Sequence, residues 1–156
     1  MSSEGAVDHL PSMKYLAGPR DKVDWENRLT EEFLALINIC ESNKNEGKDW
    51  FTIEPTADGL KWSGKCWFYH EMKKYEFDYE FELPVSYPLT PPEILIPSLD
   101  GKTAKMYRGG AICMTDHFYP LWKKHVPKFG IIHALVLGLA PWLAAEVPDL
   151  VGKNLI

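Results

Sequence analysis

Within Lys73 to Leu83 the side chains alternate without a break from Tyr75 onward. Tyr75, Phe77, Tyr79, Phe81 and Leu83 fall on one side, and Glu76, Asp78, Glu80 and Glu82 on the other. A period of two belongs to an extended strand, and one aromatic and one acidic face require a sheet with a core on one side and water on the other. Trp50 to Pro55 reads as a first strand and Leu60 to Tyr69 as a second, with Asp58-Gly59 a two-residue turn signal between them. Connections this short join antiparallel neighbours, so the strands form a meander. The rigid stretch Tyr87-Pro88-Leu89-Thr90-Pro91-Pro92 follows, in which proline fixes φ and withholds an N–H. Glu93 to Ile96 then supplies a fourth short strand.

Helical spacing brackets this sheet. Residues 21 to about 42 carry Trp25, Leu29, Phe33, Leu36, Ile37 and Cys40 on one stripe, opposite a face rich in Glu and Asn. That stripe, Cys40 included, is expected in the core. Asn43 to Gly47 ends the helix. A second helix is predicted over Ile131 to Val147, broken or kinked by Pro141 unless it opens a new turn there, with Pro148 limiting its end. Residues 1–17 read as a flexible lead-in and 18–156 as a single domain. The most apolar run, Phe129 to Ala145, contains His133, Gly138 and Pro141 and is too short to cross a bilayer comfortably. It is therefore expected to be a core helix, with no direct membrane insertion.

Composition narrows the function classes. The chain has 156 residues, 46% of them apolar, enough for one domain with a sizeable core. A net charge of −5 argues against a dedicated nucleic-acid binder, which needs a basic face to displace counterions. The first 20 residues are polar and do not read as a secretory signal. Three widely spaced cysteines suit a reducing compartment better than a disulfide scaffold. The core stripes leave no further apolar stripe over, so a monomer is expected.

From Pro97 to Lys128 no clean period survives, and long ordered loops in compact domains are usually functional. Within that stretch Cys113 follows Gly109-Gly110-Ala111-Ile112, with Lys102, Lys105 and Arg108 nearby. Nearby positive charge favours the reactive thiolate. The competing reading is a small buried hydrophobe beside Ile112. Cys66-x3-His70 and Cys113-x3-His117 have the look of two halves of a zinc site, but one pair ends a strand and the other overlaps the loop, so no metal is expected. A thiol hydrolase would need an oriented base for Cys113 from His117 or His125, and no such signature surrounds it. Cys66 reads as strand core beside Trp67. Asp116 would cap the turn after the cysteine or, alternatively, orient an incoming lysine or lower its pKa; His117 would shape the loop. Lys123, Lys124, His125 and Lys128 form a basic run that reads as a solvated face, with docking of an acidic partner as the alternative.

The helix, the meander, the Tyr-Pro…Pro-Pro turn and the Gly-Gly-X-Ile-Cys loop together resemble the ubiquitin-conjugating enzymes. The stretch Gly101 to Cys113, with Asp116-His117-Phe118, Pro120-Leu121-Trp122 and Val126 to Gly130, resembles more narrowly the conjugating enzymes for the ubiquitin-fold modifier. Ala17 to Asp21 and Gly64-Lys65-Cys66-Trp67 extend that likeness, which runs from about Ala17 to Leu150.

The resemblance implies an α+β, ubiquitin-conjugating-enzyme-like fold: an N-terminal helix, a four-stranded antiparallel meander, a long active-site loop, a second helix and a truncated C-terminus. Many of the wider family carry two further helices there, so the surface they would cover must be closed differently or left open. It implies that Cys113 takes the modifier as a thioester from an activating enzyme and passes it, with a ligase complex, to lysines of protein substrates, using no cofactor. It places the protein in the cytoplasm, and also in the nucleus and at the endoplasmic-reticulum surface through the ligase. The wider family has His-Pro-Asn where this chain has Thr103-Ala104-Lys105, the replacement seen in the modifier-specific branch. Lys105 or loop N–H groups are expected to take over the missing asparagine's support of the oxyanion or loop, with Thr103, Asp116 and His117 as further supporting candidates. The exposed side of the first helix is the expected docking face for the activating enzyme. The alternative is a catalytically silent, RWD-like protein-binding module on the same scaffold.

Overall fold

The structure is a computed structural model and describes residues 10–156. Packing groups the described chain into two units. One takes residues 10–49, Leu83–Pro92 and Asp116–Gly138; the other takes Trp50–Glu82, Glu93–Thr115 and Leu139–Ile156.

The second of these is built on the predicted alternation. Strand β3 (Lys73–Glu82) pairs antiparallel with β2 (Lys61–His70), and β2 with β1 (Glu54–Pro55). Phe77, Tyr79 and Phe81 are buried while Glu76, Asp78, Glu80 and Glu82 are exposed, as the period of two requires. The first strand is shorter than expected: β1 keeps two residues, and the segment before it meets β2 through a bridge from Phe51 to Cys66 and a bond from Thr52 N–H to the Lys65 carbonyl. The turn is also wider than two residues. It closes with Thr56 N–H on the Lys61 carbonyl, and Asp58 accepts from Leu60 N–H and the Thr56 hydroxyl.

The expected fourth strand shrinks to a single bridge residue, Leu95, which pairs antiparallel with Glu80 on one side and Ala111 on the other. The proline-rich turn leaves too few residues before Pro97 for a longer ladder. Beyond it the supposed loop contains real structure. A 3-10 turn at Pro97–Leu99 leads to a hairpin of β4 (Met106–Tyr107) and β5 (Ala111–Ile112).

The other unit centres on α1 (Val23–Asn45) and α3 (Ile131–Ala134). The buried face of α1 is only partly the expected stripe. Trp25, Arg28, Glu32, Ala35 and Leu36 are buried, whereas Leu29, Phe33 and Cys40 are half-buried and Ile37 is 50% exposed. The stripe turns because Arg28 and Glu32 carry a polar network into the interior. Arg28 Nη1 donates to the Tyr15 carbonyl at 2.9 Å and the Pro127 carbonyl at 2.6 Å, and Nη2 to the Phe129 carbonyl at 2.7 Å. Its Nε lies 3.5 Å from Glu32 Oε2, an ion pair too long for a good hydrogen bond. Glu32 accepts from Ile131 N–H and from the Tyr87 hydroxyl. Gly130 permits this approach, since a Cβ there would collide with Glu32 Oε1.

The expected flexible lead-in falls partly on residues 1–9, which lie outside the described residues. Over 10–17 the chain is held in place. Met13 and Ala17 are buried, Met13 N–H bonds the Lys128 carbonyl, and Lys14 and Tyr15 N–H groups donate to Glu31.

Two further elements differ from expectation. Helix α2 (Phe118–Lys124) lies in the stretch without a period. Its N-cap is His117, with no side-chain cap bond, so Asp116 does not cap it. The predicted second helix is α3, a π-helical turn at Leu135–Leu139, and α4 (Ala140–Gly152). Pro141 stands in the first turn of α4, where a missing N–H costs least, and the wider π turn precedes it. Pro148 does not end the helix, which runs on to Gly152. The carbonyl it leaves without an intrahelical donor belongs to Ala144, an exposed residue. The helical run from Ile131 to Gly152 is long and apolar enough to cross a membrane by length and composition, but 67% of that window is buried inside the protein, as suits a core helix.

Candidate functional site

The chain's three cysteines have three different environments. Cys66 faces the sheet core opposite Phe77 with no exposed surface, and burial, with Asp78 and Glu76 adding to it, pushes its thiol up to about 12. Such a thiol is protonated and inert. Cys40 is half-buried on α1, and burial followed by the charge of Asp49 raises it too. Cys113 is half-buried at the end of β5, where the hairpin delivers it to the surface.

The hairpin is anchored on both sides. Ile112 N–H donates to the Ile94 carbonyl and Ile96 N–H to the Gly110 carbonyl, and Ile94, Ile96, Leu99 and Ile112 are all buried. The glycine pair makes the turn. Gly110 has φ +93°, and a Cβ there would sit 2.9 Å from the Ile96 carbonyl oxygen. No side chain fits that conformation and space together. Asp100 Oδ1 holds the turn from outside by accepting Gly109 N–H at 3.1 Å.

The position of Cys113 is set by Lys105. Cys113 N–H donates to the Lys105 carbonyl at 2.9 Å, and the same carbonyl accepts the indole N–H of Trp142 at 2.8 Å. Lys105 N–H in turn donates to Thr103 Oγ1 at 3.1 Å, and the Thr103 hydroxyl donates to Glu146 Oε1. Of the supporting candidates, the structure therefore brings Thr103 and Lys105 to the cysteine. Lys105 meets it through its backbone carbonyl, so the expectation of a supporting side chain or N–H gains no contact from this geometry. Asp116 and His117 belong to the other unit.

Tyr107 was missed by the sequence reasoning. Cys113 Sγ lies 3.7 Å from its hydroxyl and 3.8 Å from the Met114 carbonyl oxygen. A phenol accepts from a thiol and donates to a thiolate, so it suits either charge state of the sulfur. The signal was present: Tyr107 and Cys113 are six residues apart across a glycine turn, a hairpin spacing. Trp142 and Glu146 were also missed, because only the fold brings α4 to the loop. Among the described residues, no group of three or more His, Cys, Asp or Glu is gathered as metal ligands. Cys66 and Cys113 stand on opposite terms, one sealed in the sheet core and one half-buried at the end of β5. In the basic run, Lys123 and Lys124 close α2, where they complement the helix dipole, and His125 stacks on Phe129.

The arrangement can present a thiolate to a large acyl donor. The sulfur is at the surface, its backbone is fixed, and a hydroxyl stands beside it. Known proteins resemble the chain over nearly its whole length. A family model described as Ubiquitin-fold modifier-conjugating enzyme 1 matches residues 3–156. A protein of that name from Drosophila mojavensis is 59% identical over 155 residues, covering 99% of this chain and 94% of its own. One from Danio rerio is 60% identical over 151 residues, covering 97% and 91%. Among solved structures, human ubiquitin-conjugating enzyme E2 G1 aligns at a TM-score of 0.49 and 14% identity, over 75% of this chain and 97% of that one.

Proposed function

Because the chain belongs to the ubiquitin-fold modifier-conjugating enzymes, and so is a modifier-conjugating transferase, we propose that Cys113 is the residue that carries the modifier. The carrying observation is the contrast among the thiols: Cys66 is sealed in the core, Cys40 lies half-buried on a helix, and Cys113 ends a rigidly held hairpin beside a hydroxyl.

The chemistry runs in two acyl transfers. The Cys113 thiolate attacks the thioester carbonyl that joins the modifier to its activating enzyme. A tetrahedral oxyanion forms and collapses, the activating enzyme's thiolate leaves, and the modifier is now a thioester on Sγ. A neutral lysine amine of the protein substrate then attacks that carbonyl. The Cys113 thiolate leaves, the amine nitrogen gives one proton to solvent, and an isopeptide bond remains. Splitting one hard transfer into two easier ones is covalent catalysis. ATP is consumed upstream, in activation. The Tyr107 hydroxyl is placed to donate to the sulfur whenever it is anionic, as nucleophile in the first step and leaving group in the second. The ligase complex brings the substrate, and through it the enzyme is recruited to the endoplasmic-reticulum surface from the cytoplasm and nucleus. Cysteines held as thiols suit those reducing compartments.

The test is a charge-and-chase experiment. The chain is incubated with the modifier, its activating enzyme and ATP, activation is quenched, and free lysine is added. The proposal expects a thiol-reversible adduct on non-reducing gels that is consumed by lysine at a rate first order in adduct. A chain that never charges with active partners would overturn it and favour the silent binding module.

A further inference from the structure

We propose that Glu146 is a positioning residue for the acceptor site, acting on Cys113 through Thr103 and Lys105. This role deepens the proposed function and rests on Cys113 being the acceptor.

The bonds have one consistent direction. A threonine hydroxyl holds one proton and two lone pairs, and a carboxylate only accepts. Thr103 therefore gives its proton to Glu146 Oε1. Its lone pairs are left for the Lys105 N–H, 3.1 Å away. With the N–H side of Lys105 fixed, its carbonyl is aimed at two donors, Cys113 N–H at 2.9 Å and Trp142 Nε1–H at 2.8 Å. Trp142 and Glu146 are four residues apart on α4, so they project from one helix face and grip the loop at two points. Trp142 is 5% exposed and Glu146 half-buried, which shelters the grip from competing water. Glu146 touches no reacting atom. It sets the backbone that carries the nucleophile, and misplacement of that kind lowers a rate more than an affinity.

The experiment compares Glu146→Ala, Glu146→Gln, Thr103→Ser and Thr103→Val in single-turnover transfer from charged Cys113 to free lysine. Glu146→Ala is expected to slow transfer about fivefold. The concentration of charged activating enzyme needed for half-maximal charging should stay the same. Glu146→Gln keeps a carbonyl acceptor and should stay near the wild-type rate. Thr103→Ser should keep function and Thr103→Val should not. The Glu146→Ala/Thr103→Val double variant should lose no more than the worse single variant, because both cut one chain of bonds. Amide hydrogen exchange at Lys105 and Cys113 provides a readout independent of transfer, and should accelerate in Glu146→Ala but not in Glu146→Gln. Should Glu146→Ala fail to fold, the Gln and Thr103 variants decide alone. Equal losses in Gln and Ala, additive losses in the double variant, or unchanged exchange would overturn the role. A wild-type chain that does not charge overturns the proposed function instead, and the exchange data would still judge the positioning.

Discussion

Cys66 and Cys113 carry the same chemical group in opposite settings, and their reactivity should divide accordingly. A thiol pushed up to about 12 is thiolate in only about 1 molecule in 30,000 at pH 7.5. Iodoacetamide is therefore expected to label Cys113 at least about 100-fold faster than Cys66 in the folded protein, read by peptide mapping. Comparable rates would contradict the burial of Cys66. Gly110 is the second residue whose setting fixes its identity. Gly110→Ala adds a Cβ 2.9 Å from the Ile96 carbonyl and 3.0 Å from Pro97 Cα, at φ +93°. A loss of about 2–4 kcal/mol in urea unfolding is expected, against roughly 1–2 for Gly109→Ala, which meets strain but open space. His133 supplies a pH test. It is 1% exposed, its Nδ1 accepts Gly130 N–H at 2.9 Å, and burial, then Arg28 and His125, lowers its pKa to about 3. The unfolded chain takes up a proton near pH 6.5 that the folded chain refuses until about 3, so stability is full above 6.5 and is lost as pH falls through that window. The contribution at pH 5 is a loss of about 2 kcal/mol, measured as a falling Tm. His133→Asn, which keeps an acceptor and cannot charge, should flatten that slope.

At the scale of elements, β3 was legible because its whole length obeys one period. Helix α1 was legible in extent and misread in part of its face. The apolar stripe is buried at Trp25 and Leu36 and half-buried at Leu29, Phe33 and Cys40, but Ile37 is exposed, and Arg28 and Glu32 are fully buried beside it. No sequence rule places an i, i+4 ion pair inside when the partners that satisfy it lie on segments 13 to 101 residues away. Burial also shapes the electrostatics of that pair: desolvation raises Glu32, opposed by the Arg28 guanidinium, and raises Tyr87 well above its usual range. Buried ion pairs are often replaceable by apolar side chains of the same size. This one should not be. Arg28 satisfies three carbonyls, of Tyr15, Pro127 and Phe129, and Glu32 a backbone N–H and a phenol, all of which would be orphaned. Arg28→Met is expected to cost about 3–5 kcal/mol in chemical denaturation, with no recovery in the Arg28→Met/Glu32→Met double variant. A double variant as stable as wild type would show that the network is dispensable.

At the scale of the molecule, the family was legible in the sequence because its motifs fall in order from the first helix to the last, and the α+β class came with that resemblance, supported by the alternation of β3 and the helical spacing on either side of it. Residues 97–128 were not legible as structure. Strands of two residues and a helix of seven are too short to register a period. Cys113 was found from its glycine turn and neighbouring charges, and Tyr107 carried a hairpin spacing to it across that turn, whereas Trp142 and Glu146 came to light only through the fold, since their roles depend on a helix docking against a loop. The claim on which the rest depends is that the modifier rides on residue 113. Its most direct test is intact and peptide mass spectrometry of Cys113→Ser after incubation with modifier, activating enzyme and ATP, beside Cys40→Ser and Cys66→Ser. The account predicts a reductant-stable ester at residue 113 in the first, or no adduct, and wild-type thioesters in the other two. A thiol-reversible adduct persisting in Cys113→Ser would contradict it.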